Sequence, residues 1–140
     1  MKRTQLSGDQ MVSVNDPSQE RETLLRRRKL LKNQIGSHNR EFNSMAMLVK
    51  ARDPYGGKAL KYLKGSVPRV STVSWMQILK TLSLDGLCHC LLRVPRHDKY
   101  LRKAIICLIA IKRLEQLDKR VATLLSQLQD PLVAAVHSRN

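Results

Sequence analysis

The sequence predicts an all-α protein: a small irregular helical bundle of four to six helices, with a long C-terminal helix and a disordered N-terminal leader. Three observations carry this. Apolar residues recur at spacings of three and four through most of the chain, the period of a helix with one buried face. Aromatic residues make up only 4%, so the core has to be aliphatic, which suits packed helices better than sheets rich in aromatic and β-branched residues. Ser, Asp, Gly and Pro stand where helix starts and stops are needed. With 140 residues, one domain of ordinary size is expected.

Residues 1–15 are polar, without periodicity, and are read as a flexible leader. Residues 16–130 form the expected single helical domain, and 131–140 a loose tail. Asp16 can cap a first helix with Pro17 at its first position, where a missing N–H is no loss. Gly36 is expected to end it. A second helix follows from about Asn39 to Lys50, with Phe42, Met45, Ala46 and Val49 on one face. Asp53-Pro54-Tyr55-Gly56-Gly57 spells a turn, and Lys58–Lys64 two helical turns closed by Gly65. Ser74-Trp75-Met76-Gln77 resembles a capping box. The helix it opens is expected to be bent or interrupted at Asp85-Gly86 and to continue to Leu92, before Pro95.

The strongest pattern lies last. From a cap at Asp98 to about Gln129, Cys107, Ala110, Leu114, Leu117, Val121, Leu124 and Leu128 keep a 3,4 spacing. At about 1.5 Å per residue this helix is roughly 45 Å long, more than a domain of this size can cover. Leu114, Leu117, Val121, Leu124 and Leu128 are therefore expected to meet a partner as a coiled-coil seam, either a helical protein or a second copy in a homo-oligomer. Leu79, Leu82, Leu87, Leu91, Leu101, Ile105, Leu108, Ile109 and Leu114 are the expected core.

Lysine and arginine number 26 against 11 acids, a net charge of +15. Such an excess repels itself in a compact state and is relieved by an anionic partner, nucleic acid or an anionic membrane surface. Two clusters lead. Arg26, Arg27, Arg28, Lys29 and Lys32, interleaved with leucines, make a basic amphipathic helix, although four consecutive bases on a helix point in four directions. Arg93, Arg96, Lys99, Arg102 and Lys103, with His97, surround the Pro95 bend at a helix start, where backbone N–H groups can add to phosphate binding. A third group, Lys50, Arg52, Lys58, Lys61 and Lys64 with Tyr55 and Tyr62, sets cations beside aromatic rings, the general mode for single-stranded nucleic acid.

Other chemistries are weaker. Cys88-His89-Cys90 with His97 and Cys107 invites a zinc reading, but Cys-x-Cys on a helix sends its thiols about 200° apart. Buried thiols are expected, with no metal and no cofactor. No phosphate-binding glycine loop occurs, and the four histidines show no paired spacing, so the chain reads as non-catalytic. Three cysteines make no disulfide framework. Met1–Gln10 lacks the apolar stretch of a signal peptide, and the longest apolar run, Ala104–Ile111, falls far short of the roughly 20 residues of a membrane span. An intracellular protein of the cytoplasm or nucleus follows. The leading expectation is a phosphate-contacting nucleic-acid binder, RNA more than DNA, with little base specificity. The alternative is a protein-interaction or membrane-surface protein, such as a small virus-encoded accessory, capsid or matrix-like protein, docking through the C-terminal helix.

Overall fold

A computed structural model describes residues 17–63 and 74–129. Five helices and no strand are found among them: α1 (Pro17–Arg52), α2 (Gly57–Tyr62), α3 (Trp75–Thr81), α4 (Leu84–Arg93) and α5 (Lys99–Gln129). The fold is all-α, with the long C-terminal helix that the heptad spacing predicts. The expected leader, the Asp16 cap, the Gly65 stop and the tail lie outside the described residues.

Two boundaries differ from the sequence reading. The expected first and second helices are one, α1, which passes through Gly36 without a break. Leu31, Ile35, His38, Phe42, Met45 and Val49 keep a 4,3 spacing across that glycine, so one continuous stripe faces inward. A mid-helix glycine costs about 1 kcal/mol, whereas fully burying a side chain such as Phe42 or Val49 returns about 1.5–3 kcal/mol. The stripe wins. The second difference is the break expected at Asp85-Gly86. It falls instead at Leu82, which is extended, and Ser83 caps α4 by accepting the Gly86 N–H at 3.1 Å. Asp85 then sits in the first turn of α4, where its charge complements the helix dipole.

The turn between α1 and α2 is set by two residues. Gly56 has φ of 70°, and a Cβ there would lie 2.5 Å from Trp75 Cδ1; only glycine permits both the left-handed backbone and the approach of the indole. Asp53 accepts the N–H groups of Lys58 (3.0 Å) and Ala59 (3.2 Å) through Oδ2, fixing the start of α2. Ser74 caps α3 by accepting the Gln77 N–H at 3.4 Å, as the capping-box pattern implies. At the other bend, Arg102 Nη1 donates to the carbonyls of Leu91 (3.1 Å) and Val94 (2.9 Å), satisfying acceptors that the end of α4 leaves open.

The described residues fall into two compact units, one spanning 34–115 and the other combining 17–33 with 116–129. In the first, Phe42, Ala46 and Val49 of α1 share a core with Trp75, Ile78, Leu79, Leu87, Leu101, Ile105 and Leu108. Six of the nine expected core residues are fully buried; Leu82, Leu91 and Leu114 are half-buried. In the second, Leu31, Val121 and Leu125 are buried, and Arg28 Nε donates to Asp118 Oδ1 at 3.1 Å. The start of α1 thus lies beside the end of α5.

Candidate nucleic-acid interface

The structure distributes the predicted cations unevenly. In the first cluster Arg26 pairs with Glu22 one turn away, at 3.1 Å, and Arg28 is committed to Asp118. Arg27, Lys29 and Lys32 are exposed. The run of four is split around the helix, as 100° per residue requires. In the second cluster Arg102 ties α4 to α5 and Lys103 Nζ lies 3.7 Å from Glu41 Oε2. Lys99 reaches over the Tyr100 ring, 5.4 Å from its centroid. Arg93 and Arg96 are exposed. Arg102, Lys103 and Lys99 are therefore engaged within the fold.

A further convergence of cations is one that no single segment spells out. A cavity of about 310 Å³ is lined by Val49, Arg52 and Asp53 at the end of α1, by Lys58, Ala59, Lys61 and Tyr62 of α2, and by His97, Asp98, Tyr100 and Leu101 at the start of α5. It joins most of the third sequence cluster to the histidine of the second. Arg52, Lys58 and Lys61, with chargeable His97, outnumber Asp53 and Asp98. Asp53 is moreover occupied by the two α2 amides. The Arg52 guanidinium lies 4.7 Å from the centroid of the Tyr100 ring, a cation–π contact that holds it in place while leaving its N–H donors available at the edge. The first turn of α5 borders the cavity, adding the positive end of a helix dipole. Chemically, such a lining offers cationic donors and phenol rings to an anion that carries a flat or apolar group.

No known protein family, curated protein or solved structure matches this chain.

Tyr55, expected beside Tyr62, is 96% exposed and outside the cavity; Lys64 lies outside the described residues. Tyr100 is the participant that sequence reasoning passed over. Its only signal is its place in the first turn of α5, next to His97 and Asp98. Along the predicted docking seam, Val121 is buried, Leu114, Leu117 and Leu128 are half-buried, and Leu124 is 48% exposed. Val121 and Leu125, four residues apart, face the interior of their own unit, beside the start of α1. Of the three thiols, Cys90 and Cys107 are buried and Cys88 half-buried.

Proposed function

We propose that the protein is a non-catalytic nucleic-acid binder that grips phosphates, with single-stranded RNA as the favoured ligand. One observation carries the reading: the cavity collects Arg52, Lys58, Lys61 and His97 around Tyr62 and Tyr100. Its volume is at the lower end for small-ligand sites and suits one phosphate with part of the adjoining nucleoside. In this reading Arg52 and the two lysines neutralise the phosphate. A phenol ring gives the base or sugar a face to pack on, which is tolerant of sequence because every base has one. The exposed Arg96 and Lys99 of the same unit then supply further backbone contacts, which position a strand without reading its bases.

The test is fluorescence anisotropy with a single-stranded RNA oligonucleotide and a DNA duplex across a salt series. Affinity should fall steeply with salt, since each neutralised phosphate releases counterions. Arg52→Glu with Lys58→Glu should weaken binding and flatten the logarithmic salt slope by about 1–2, while Arg120→Glu, far along α5, changes it little. Binding that ignores salt, or that survives the double reversal unaltered, refutes the assignment.

A second reading has its own observation. Leu25, Leu30 and Leu124 are exposed in the unit made of 17–33 and 116–129, apolar side chains that a helical protein, a second copy of the chain or an anionic membrane surface would cover. No helix among the described residues is long and apolar enough to cross a membrane. Leu25→Asp with Leu124→Asp should abolish concentration-dependent association in sedimentation velocity if this surface is used.

A further inference from the structure

We propose that His38 and Glu41 of α1 and Cys107 of α5 form a binding site for one divalent cation of the borderline-soft, Zn²⁺ class. His38 and Glu41 are three residues apart, so they share a face of α1. His38 holds a position in the apolar stripe that otherwise carries Ile35, Phe42, Met45 and Val49, and is half-buried there. Cys107 is 2% exposed on α5. One ligand atom from each of the three side chains lies within 4.8 Å of the others, and Cys107 Sγ is 3.3 Å from Glu41 Oε1.

Coordination geometry fits this cluster closely. Zinc binds nitrogen and oxygen at about 2.0–2.2 Å and sulfur at about 2.3 Å, so tetrahedral ligand atoms lie roughly 3.5 Å apart. The sulfur and the carboxylate oxygen are already at that separation, and the imidazole needs a shift of about 1 Å, within the reach of a side-chain adjustment. Nitrogen, oxygen and sulfur donors together select against calcium and magnesium, which take oxygen ligands. With three protein ligands the fourth position is left to water.

The two oxygens of Glu41 have separate tasks. Oε2 faces the Lys103 ammonium at 3.7 Å, and Oε1 accepts from the Cys107 thiol. The Glu41–Lys103 pair explains why a carboxylate is there; it gives no reason for an imidazole and a buried thiol at the same point. Burial first, then the hydrogen bond and the charge of Glu41, push the Cys107 thiol up to about 11, against a lowering pull from Lys103. A cation between them reverses the sign of that local field, and a coordinating thiol is deprotonated outright. The binding step balances simply: the S–H bond breaks, its proton goes to solvent, and the thiolate donates an electron pair to the metal. Lys103, about half exposed, stays on Oε2 as an orienting partner, the arrangement that usually supports a metal-bound carboxylate. Cys88-His89-Cys90 takes no part.

The full-length chain, stripped with a chelator, should be titrated with Co²⁺. One equivalent should produce the near-ultraviolet thiolate-to-cobalt charge-transfer band and tetrahedral visible bands, and Zn²⁺ should displace them. Cys107→Ser should remove the charge-transfer band, His38→Ala should weaken Co²⁺ binding at least about tenfold, and Cys88→Ser should change neither. Circular dichroism checks that helix content is kept. If Cys107→Ser does not fold, His38→Ala at its half-buried position decides. The proposal is overturned by a cobalt complex without thiolate absorption, by a band that survives Cys107→Ser but not Cys88→Ser, or by undiminished affinity in His38→Ala. RNA binding is independent of each of these outcomes.

Discussion

The two units of this protein use the same two helices in different ways. Within 34–115, the second half of α1 and the first half of α5 meet three shorter helices around a shared core: Phe42, Leu79, Leu87 and Ile105 are almost wholly buried, while Met47, Leu48, Leu92 and Ile106 face outward. In the other unit, the start of α1 and the end of α5 have only each other among the described residues. Leu31, Val121 and Leu125 are buried, while Leu25, Leu30 and Leu124 remain exposed. A helix pair buries one stripe per helix; a helix inside a larger core can bury more. The lesson is that regular periodicity measures helix formation, and the number of neighbours measures stability. Local opening should therefore concentrate in 17–33 and 116–129, where amide hydrogen exchange should be faster than in 42–49 and 104–111.

Substitutions can break or sharpen this contrast. The largest effect is expected for Phe42→Ala, which empties a fully enclosed site: about 3–5 kcal/mol lost in urea unfolding. Gly56→Ala should follow, at about 2–4 kcal/mol, because the added methyl meets Trp75 and the backbone is held in the left-handed region. Gly36→Ala is its counterpart and should stabilise by about 0.5–1 kcal/mol, since the new Cβ meets nothing nearer than Arg40 Nη1 at 3.6 Å. A loss of stability at Gly36 would mean that α1 needs flexibility there. The smallest effect belongs to the pair formed by the start of α1 and the end of α5: Arg28→Gln should cost less than about 1 kcal/mol, as a partly exposed ion pair does. Should Arg28→Gln prove as damaging as Phe42→Ala, the two units would not differ as described.

The same contrast explains what could be read from the residues. The Ser74 cap, the long α5 and most of the core were legible because each rests on local rules: a side chain reaching an N–H three residues on and a 3.6-residue period. Gly36 misleads for the converse reason. Local preference favours a stop, but Phe42, Ala46 and Val49 find a core to enter, and no local rule knows that. At the candidate interface the cations were visible as sequence clusters, yet Arg102 turned out to close α4, Lys103 to hold Glu41, and Arg28 to hold Asp118. Whether a base is free or already engaged depends on which acid or carbonyl the fold brings near.

By itself, then, the sequence determined the all-α class, the helix-forming segments and the large positive charge, since these follow from composition and from interactions between residues a few positions apart. Tertiary structure decided which cations converge and which donors meet. Arg52, Lys61 and His97 line one cavity, and His38, Glu41 and Cys107 approach within 4.8 Å, although dozens of residues separate Lys61 from His97 and Glu41 from Cys107 along the chain. The physical reason is that packing brings distant side chains together by burying the apolar stripes beneath them. The stripes record that burial will happen, but not which faces will be opposed when it does.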